Sequence, residues 1–310
     1  MTIADISGVL PPAATPTRWR LNDLSGRDWV QRTKSIIFQR GLGLNHPETK
    51  YERLHPCPFS YQDAEQFITF FTKQGEKVLD PFAGVSSTLK ACALSGRLGT
   101  GVELNPQFCA WSHERLVAEV PREQRERYPQ QLIMGDARAA VENFEDDAFH
   151  FALSSPPYWT ILGKRPDAKA RTSSALRDGT LAYSDDPRDF GCIADYDEFI
   201  GAMADFVCSW RRVLQPRRYL ALIVADFRDG RVLHPYHADL IAAIRTRSAV
   251  GDRELVLQGI SILAQNQKRL YAYGYPTTYV PNIHHHYALI YRNFPRGEAA
   301  EAVADAEAEA

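Results

Sequence analysis

The stretch KVLDPFAGVSSTLKAC, residues 77–92, decides the fold. A short apolar run ends in an aspartate, a tight turn of small residues follows, and Leu89 and Ala91 resume an apolar pattern of helical spacing. Ser87 and Thr88 are the expected caps of that helix. In an open α/β sheet such a strand, turn and helix place a ligand at the carboxyl end of the strand, beside the switch in strand order. A dinucleotide would require GxGxxG so that backbone could approach a pyrophosphate. Here Gly84 is the only glycine of the turn and Asp80 supplies a carboxylate, which suits a cationic ligand.

Working outward, further runs of strand length recur: GTGVELN (99–105), QLIMGDA (131–137), HFALSS (150–155), YLALIVADF (219–227), ELVLQGISILAQN (254–266) and HHYALIYRN (285–293). With KVLDPF (77–82) they make seven. Strands alternating with helical stretches predict a mainly parallel, doubly wound α/β sheet, and the last two, joined without an obvious helix, predict an antiparallel hairpin at one edge. Upstream, residues 1 to about 26 read as an extended arm. From Asp28 the spacing of Trp29, Ile36, Ile37 and Phe38 predicts a short helix ended by Gly41 and Gly43, and a second helix spans Tyr61 to Lys73. The expected organisation is an arm with a short helix over 1–54, one domain over 55–296 and an acidic tail over 297–310. The stretch 160–196 is too long for an ordinary connection and is read as a functional insertion.

Composition bounds the function. The 310 residues are 45% hydrophobic and 24% charged, enough for a sizeable core. No apolar run is long enough to span a bilayer and the start lacks a secretory pattern, so the expectation is a cytoplasmic protein with no membrane partner. Five widely spaced cysteines without a CxxC pair predict reduced thiols, with neither a disulfide framework nor a zinc site. The net charge of −2 argues against a protein that coats nucleic acid, although the acidic tail outweighs an otherwise basic chain. His284 to His286 alternate along a strand and cannot all face one metal, so they are read as a strand start, and no metal site is expected. His234 and His237 are read likewise as satisfied side chains, and Arg211 and Arg212 as solvent-facing helix residues.

Glu103 stands at the end of the second strand, nineteen residues after Gly84, and Asp136, followed by Ala137, ends the third. Any one such acid could merely cap a helix. Acids at three successive strand ends fit a nucleoside carrying positive charge, which points to S-adenosylmethionine: Glu103 on the ribose hydroxyls, Asp136 on the adenine amine, and Phe82 under the methionine chain. The remaining turn residues assigned to the cofactor are Asp80, Gly84, Ser87 and Thr88.

The fourth strand ends in SSPPYW, where two prolines impose a rigid, extended backbone rich in acceptors. An exocyclic amine of a base is a poor nucleophile because its lone pair is delocalised into the ring. The Ser155 hydroxyl and the Pro156 carbonyl, in the Ser155-Pro156-Pro157-Tyr158 loop, can hold the amine hydrogens and localise that pair. Tyr158 and Trp159 are the expected stacking partners of a flipped base. Taken alone, Pro-Pro-Tyr could equally be a structural turn or a polyproline ligand.

Asp80-Pro81-Phe82-Ala83-Gly84 and Ser155-Pro156-Pro157-Tyr158 resemble the two signature motifs of the DNA amino-methyltransferases, the S-adenosylmethionine-dependent cytosine-N4 and adenine-N6 family. HPCPFSYQDAEQFITFF, GVELNP and HHYALIYRN are similar to further family segments, so the resemblance covers roughly residues 55–293. It implies a Rossmann-like methyltransferase fold, S-adenosylmethionine as cofactor, Pro58 and Phe59 closing over the methionine end, double-stranded DNA as partner and, within this family, a cognate restriction endonuclease as a further one. Serine before Pro-Pro-Tyr is the form more usual in cytosine-N4 enzymes. Ser86 stands where the family usually has a second glycine. With no separate recognition domain, the arm and the basic insertion would read the DNA, Lys164, Arg165, Lys169, Arg171 and Arg177 contacting phosphates. A cytosine-C5 enzyme is disfavoured because the only Pro-Cys, Pro56-Cys57, precedes the cofactor turn. An RNA or protein amino-methyltransferase and an inactive DNA-binding scaffold stay open as alternatives.

Overall fold

The computed structural model describes residues 20–39, 49–52, 55, 60–162, 186–266 and 268–298. All seven expected strands form, within one eight-stranded sheet. In chain order the leading elements are α1 (Gly26–Arg32), β1 (Ile36–Phe38), α2 (Thr49–Glu52), α3 (Tyr61–Phe71), β2 (Lys77–Asp80), α4 (Ser87–Ser95) and β3 (Leu98–Glu103). Then come α5 (Pro106–Glu119), α6 (Arg122–Arg127), β4 (Gln131–Met134), α7 (Ala137–Asn143) and β5 (Phe149–Ser154). After the insertion follow α8 (Tyr196–Val213), β6 (Leu214–Val224), the short hairpin β7 (Phe227–Asp229) and β8 (Val232–His234), α9 (Tyr236–Ser248), β9 (Arg253–Ala264) and β10 (His285–Pro295).

The sheet runs β1-β9-β10-β6-β5-β2-β3-β4. Strands β4, β3, β2, β5 and β6 are parallel, whereas β10 is antiparallel to both β6 and β9. Strand order reverses between β2 and β5, so their carboxyl ends open the crevice where ligands bind in such sheets. The alternation of the central strands explains the two-sided burial. Phe151, Leu153, Ala221 and Ile223 pack with Phe67, Ile68 and Phe71 of α3 on one face. Ala152, Leu220, Leu222 and Val224 pack with Phe199, Met203, Trp210 and Leu240 of α8 and α9 on the other.

The upstream segment departs from expectation. Trp29 lies in α1, but that helix stops at Arg32, and Ile36–Phe38 is an edge strand parallel to Ile262–Ala264 of β9. Two consecutive β-branched residues favour the extended backbone, and the exposed edge of β9 supplies the ladder partners. Nor is the chain before Gly26 wholly an arm: Leu21 and Asn22 are buried, and the Asn22 amide donates to the Phe70 carbonyl of α3. Strand β6 starts before the expected Tyr219, with Leu214 opposite Phe149 but Tyr219 opposite Phe151, so the extra residues around Pro216 and Arg217 form a bulge. Arg217 pairs there with Glu298, the first acid of the tail.

Arg211 and Arg212 do more than face solvent: both are partly covered, and the Arg212 side chain, 41% exposed, also pairs with Asp146 at 2.5 Å. The Arg211 guanidinium donates to the carbonyls of Ser248, Val250 and Arg253, and that of Arg212 to the carbonyls of Phe144 and Val141. They satisfy loop carbonyls that burial would otherwise leave without donors. Of the cysteines described, Cys92 and Cys208 are buried, Cys109 is partly exposed and Cys192 is exposed, all as free thiols. Among the described residues no helix is long and apolar enough to cross a membrane.

Candidate active site

A cleft of about 650 Å3, counting space open to solvent, lies over the carboxyl ends of the parallel strands. Pro81, Phe82 and Gly84 reach it from the turn after β2, Glu103 and Leu104 from the end of β3, and Gly135, Asp136 and Ala137 from the end of β4. Ser155, Pro157 and Tyr158 reach it from the end of β5. The two motifs read separately in the sequence therefore share one cavity, because β2 and β5 are neighbours in the sheet.

The turn after β2 is held by the acid of the next strand. Gly84 N–H donates to Glu103 Oε2 and Asn105 N–H to Glu103 Oε1, each at 2.8 Å. Burial is the chief cause that raises the Glu103 carboxyl to a pKa of about 7, with the two backbone donors opposing it. Gly84 has φ +52°, a conformation that favours glycine, and a Cβ there would press on the His55 ring at 3.0 Å from Nε2. On the far side, helix α5 grips the same turn. Ser112 Oγ donates to the Gly84 carbonyl at 2.9 Å, and Arg115 Nη1 donates to the Val85 carbonyl at 3.0 Å and to Ser87 Oγ at 2.9 Å.

Several assignments change. Asp80 does not line the cleft: it is 4% exposed, and its Oδ1 accepts from Ser154 Oγ at 2.6 Å and from Phe82 N–H at 3.1 Å. Burial raises its pKa, while hydrogen bonds from Ser154 and Thr88 lower it. A carboxylate at the core of the turn is needed to satisfy these donors, so it faces inward rather than toward a ligand. Ser87 and Thr88 are also buried, in the first turn of α4, and neither lines the cleft nor caps the helix. The cap is Ser86, in the left-handed conformation with φ +61°, which makes no side-chain capping bond. Ser86 is fully buried and does not line the cleft, so its side chain does not crowd a ligand there. Asp136 does line the cleft and also caps α7, accepting from Arg138 N–H at 2.9 Å and pairing with the Arg138 guanidinium.

In the second motif, Ser155 Oγ donates to the Ile223 carbonyl at 3.1 Å. With its proton so committed, the hydroxyl presents lone pairs, which makes it an acceptor. Pro156 is buried and does not line the cleft. The Pro157 carbonyl accepts from Tyr236 OH at 3.3 Å, and Tyr158 meets the Tyr236 ring edge-on at 6.0 Å between centroids. Trp159 is 7% exposed, packed among Tyr196, Phe227 and His234. Its apolar bulk closes the core beneath the motif, so the DNA contact expected of it does not hold.

Pro58, Phe59, Lys164, Arg165, Lys169, Arg171 and Arg177 lie outside the described residues. Sequence reasoning missed His55, Phe108, Arg188, Asp189 and Phe190, which complete the wall of the cleft. It also missed Ser112 and Arg115, whose spacing of three along the helix after GVELNP was the available signal. Among the described residues no group of three potential ligands is placed to hold a metal.

A family model described as DNA methylase, of the N6 and N4 type, was matched against the chain. Residues 20–114 fit that DNA methylase model. The DNA methylase match thus begins upstream of the segment where sequence reading placed the resemblance, includes Asp80, Gly84 and Glu103, and ends before Ser155. The chain is also similar to the orphan methyltransferase M.BamHII of Bacillus amyloliquefaciens, 37% identical over 62 residues, which span 20% of this chain and 23% of that protein. Among solved structures, it is similar to a candidate DNA modification methylase of Thermus thermophilus complexed with S-adenosyl-L-methionine, at 22% identity and TM-score 0.35, covering 53% of this chain and 54% of that one. A SAM-dependent methyltransferase of Methanosarcina mazei aligns at 14% identity and TM-score 0.41, covering 72% of this chain and 94% of the other.

Proposed function

We propose that this protein is an S-adenosylmethionine-dependent DNA methyltransferase acting on the exocyclic amine of a base, with cytosine N4 as the preferred target. The observation that carries the reading is the single cleft lined both by the Phe82 to Gly84 turn and by the Ser155 to Tyr158 loop. The match of residues 20–114 to the DNA methylase family supports the class of substrate.

The residues present fit the cofactor. The cleft holds the carboxylates of Glu103 and Asp136, which suit ribose hydroxyls and the adenine amine, and the rings of Phe82, Phe108 and Phe190, which suit the remaining apolar surface. Each Glu103 oxygen has accepted one backbone hydrogen bond and retains a lone pair for a hydroxyl donor. When bound, the cofactor supplies an electrophilic methyl group on a sulfonium.

The chain's own part is acceptance and positioning. Ser155 Oγ, its proton held by the Ile223 carbonyl, accepts a hydrogen bond from the target amine and so localises the nitrogen lone pair. Tyr236 fixes the Pro157 carbonyl and braces Tyr158, which walls the base site. The target base would have to leave the duplex to reach this depth. Lys164, Arg165, Lys169, Arg171 and Arg177 of the insertion would add phosphate contacts, as the sequence suggests.

Incubation with labelled S-adenosylmethionine and mixed-sequence duplex DNA, followed by nucleoside mass spectrometry, tests the reading. N4-methylcytosine is the expected product. N6-methyladenine would keep the class and overturn the base preference, and label confined to RNA or protein would overturn the substrate.

A further inference from the structure

The loop joining β9 to β10, residues 265–284, contains four tyrosines, Lys268 and Arg269, and no acid. From Lys268 to His284 it is built rather than slack. The Asn282 side chain clamps the Tyr271 backbone from both sides, accepting from its N–H at 2.9 Å and donating to its carbonyl at 2.8 Å. Lys268 Nζ donates to the Ile283 carbonyl at 3.0 Å, and Thr278 N–H closes a turn on the Gly274 carbonyl at 2.7 Å. Gly274, with φ +74°, leaves no room for a Cβ, which would sit 2.1 Å from the Thr278 carbonyl oxygen. This brace presents Tyr275 and Tyr279 to solvent, 81% and 88% exposed, with Leu270 and Tyr273 beside them. Four large side chains exposed within ten residues of one braced loop offer a surface for contact.

Topology places the base of that loop at the same end of the sheet as the cleft. β10 is antiparallel to β6, with Tyr287 opposite Val224, so β10 begins where β6 ends. β6 is parallel to β5, which ends at Ser154, next to the reacting loop. Two strand spacings separate β5 from β10, roughly 10 Å. Two consecutive residues of α9 lock the arrangement: Tyr236 holds the Pro157 carbonyl, and His237, paired with Asp226 at 2.6 Å, stacks on Tyr287 at 3.8 Å between centroids.

We infer that the 265–284 loop is a DNA-contacting element that grips the duplex beside the target base through Tyr275 and Tyr279, with Arg269 on the backbone. The inference rests on the DNA reading above and adds a partner surface to it. Its charge favours DNA: two bases without an acid suit phosphate, and tyrosine combines a flat apolar face for sugar or base with a hydroxyl for phosphate oxygen. A second copy of this chain, the other occupant such a surface could take, becomes an outcome of the test.

The test compares wild type with the Tyr275→Ala/Tyr279→Ala double variant in methyl transfer from labelled S-adenosylmethionine to sheared genomic duplex, with cofactor affinity and sedimentation measured alongside. Both side chains are exposed, so the fold and cofactor affinity are expected to be unchanged. The expected result is a KM for DNA raised about tenfold or more, at a kcat within about twofold of wild type. An unchanged KM with active wild type would overturn the inference while leaving the proposed function standing. An unchanged KM with a dimer lost in sedimentation would overturn it in favour of a second copy. Wild type that binds cofactor but transfers nothing to duplex would remove the proposed function and this inference together.

Discussion

Asp80 Oδ1 accepts a hydrogen bond from Ser154 Oγ at 2.6 Å, across the point where strand order reverses. The strand that carries the cofactor turn and the strand that carries Ser155 are thereby tied at their ends. Asp80 acts through this tie, by positioning, rather than by facing a ligand's charge. Asp80→Ala would leave the hydroxyls of Ser154 and Thr88 without their acceptor in the core. Urea unfolding is expected to show a loss of about 2 kcal/mol, with Asp80→Asn losing less. Retained stability in the alanine variant would contradict the role.

Two buried cations under the turn share one carboxylate. Lys90 Nζ and Arg115 Nε both bond Glu119 Oε2 at 2.9 Å, and both cations are fully buried. Glu119→Gln removes the charge that compensates them and is expected to cost about 3–5 kcal/mol in urea unfolding. A cost under about 1 kcal/mol, the range of a surface pair, would show that the network is not desolvated as described.

Ser86 gives a prediction of opposite sign. It holds φ +61° and its buried hydroxyl has no hydrogen-bond partner among the described residues. Ser86→Gly removes both costs and is expected to stabilise the protein by about 1 kcal/mol, with cofactor affinity unchanged. Thermal unfolding and calorimetric titration check the two halves of that statement, and a destabilised variant would refute the first.

Glu103 makes a pH prediction. Its folded pKa of about 7 lies above the ordinary 4.5, so between these values the folded state binds more protons than the unfolded state. This group's contribution therefore becomes less favourable to folding as pH rises through that window, by up to about 3 kcal/mol. Cofactor affinity runs the other way, because the ionised carboxylate is the better acceptor for ribose hydroxyls. It should fall as pH drops below about 7, and Glu103→Gln should bind about tenfold more weakly at pH 8 with a flatter profile. Titration calorimetry across pH 5.5 to 8 measures both, and a wild-type affinity independent of pH would contradict the assignment.

Much of this was legible in the sequence for a physical reason. The central strands are buried on both faces, so KVLD, GTGVE and HFALS read as apolar runs ending in polar turns, and their order alone places Gly84, Glu103, Asp136 and Ser155 at strand ends. Less local facts were hidden. β1 is a three-residue edge strand whose partner, Ile262–Ala264, is distant in sequence, so Ile36–Phe38 could be read only by local pattern, and helix won. The inward turn of Asp80 depends on Ser154 lying opposite, which no local window contains. Ser112 and Arg115 look like ordinary helix residues until the Gly84 and Val85 carbonyls are placed beneath them. The tyrosines of the 265–284 loop carry no signal in sequence beyond polarity and turns; their meaning comes from the end of the sheet at which their loop begins and ends.

The most direct test is single-turnover methyl transfer by Ser155→Ala with saturating S-adenosylmethionine and duplex DNA. The cofactor turn is untouched by this change, so cofactor affinity should match wild type. The transfer rate should fall by about a hundredfold, as for loss of one preorganised polar contact to a developing charge. A variant that transfers at the wild-type rate, or a wild type that binds cofactor and leaves every DNA amine unmethylated, would contradict the assignment of this cleft to DNA amino-methyl transfer.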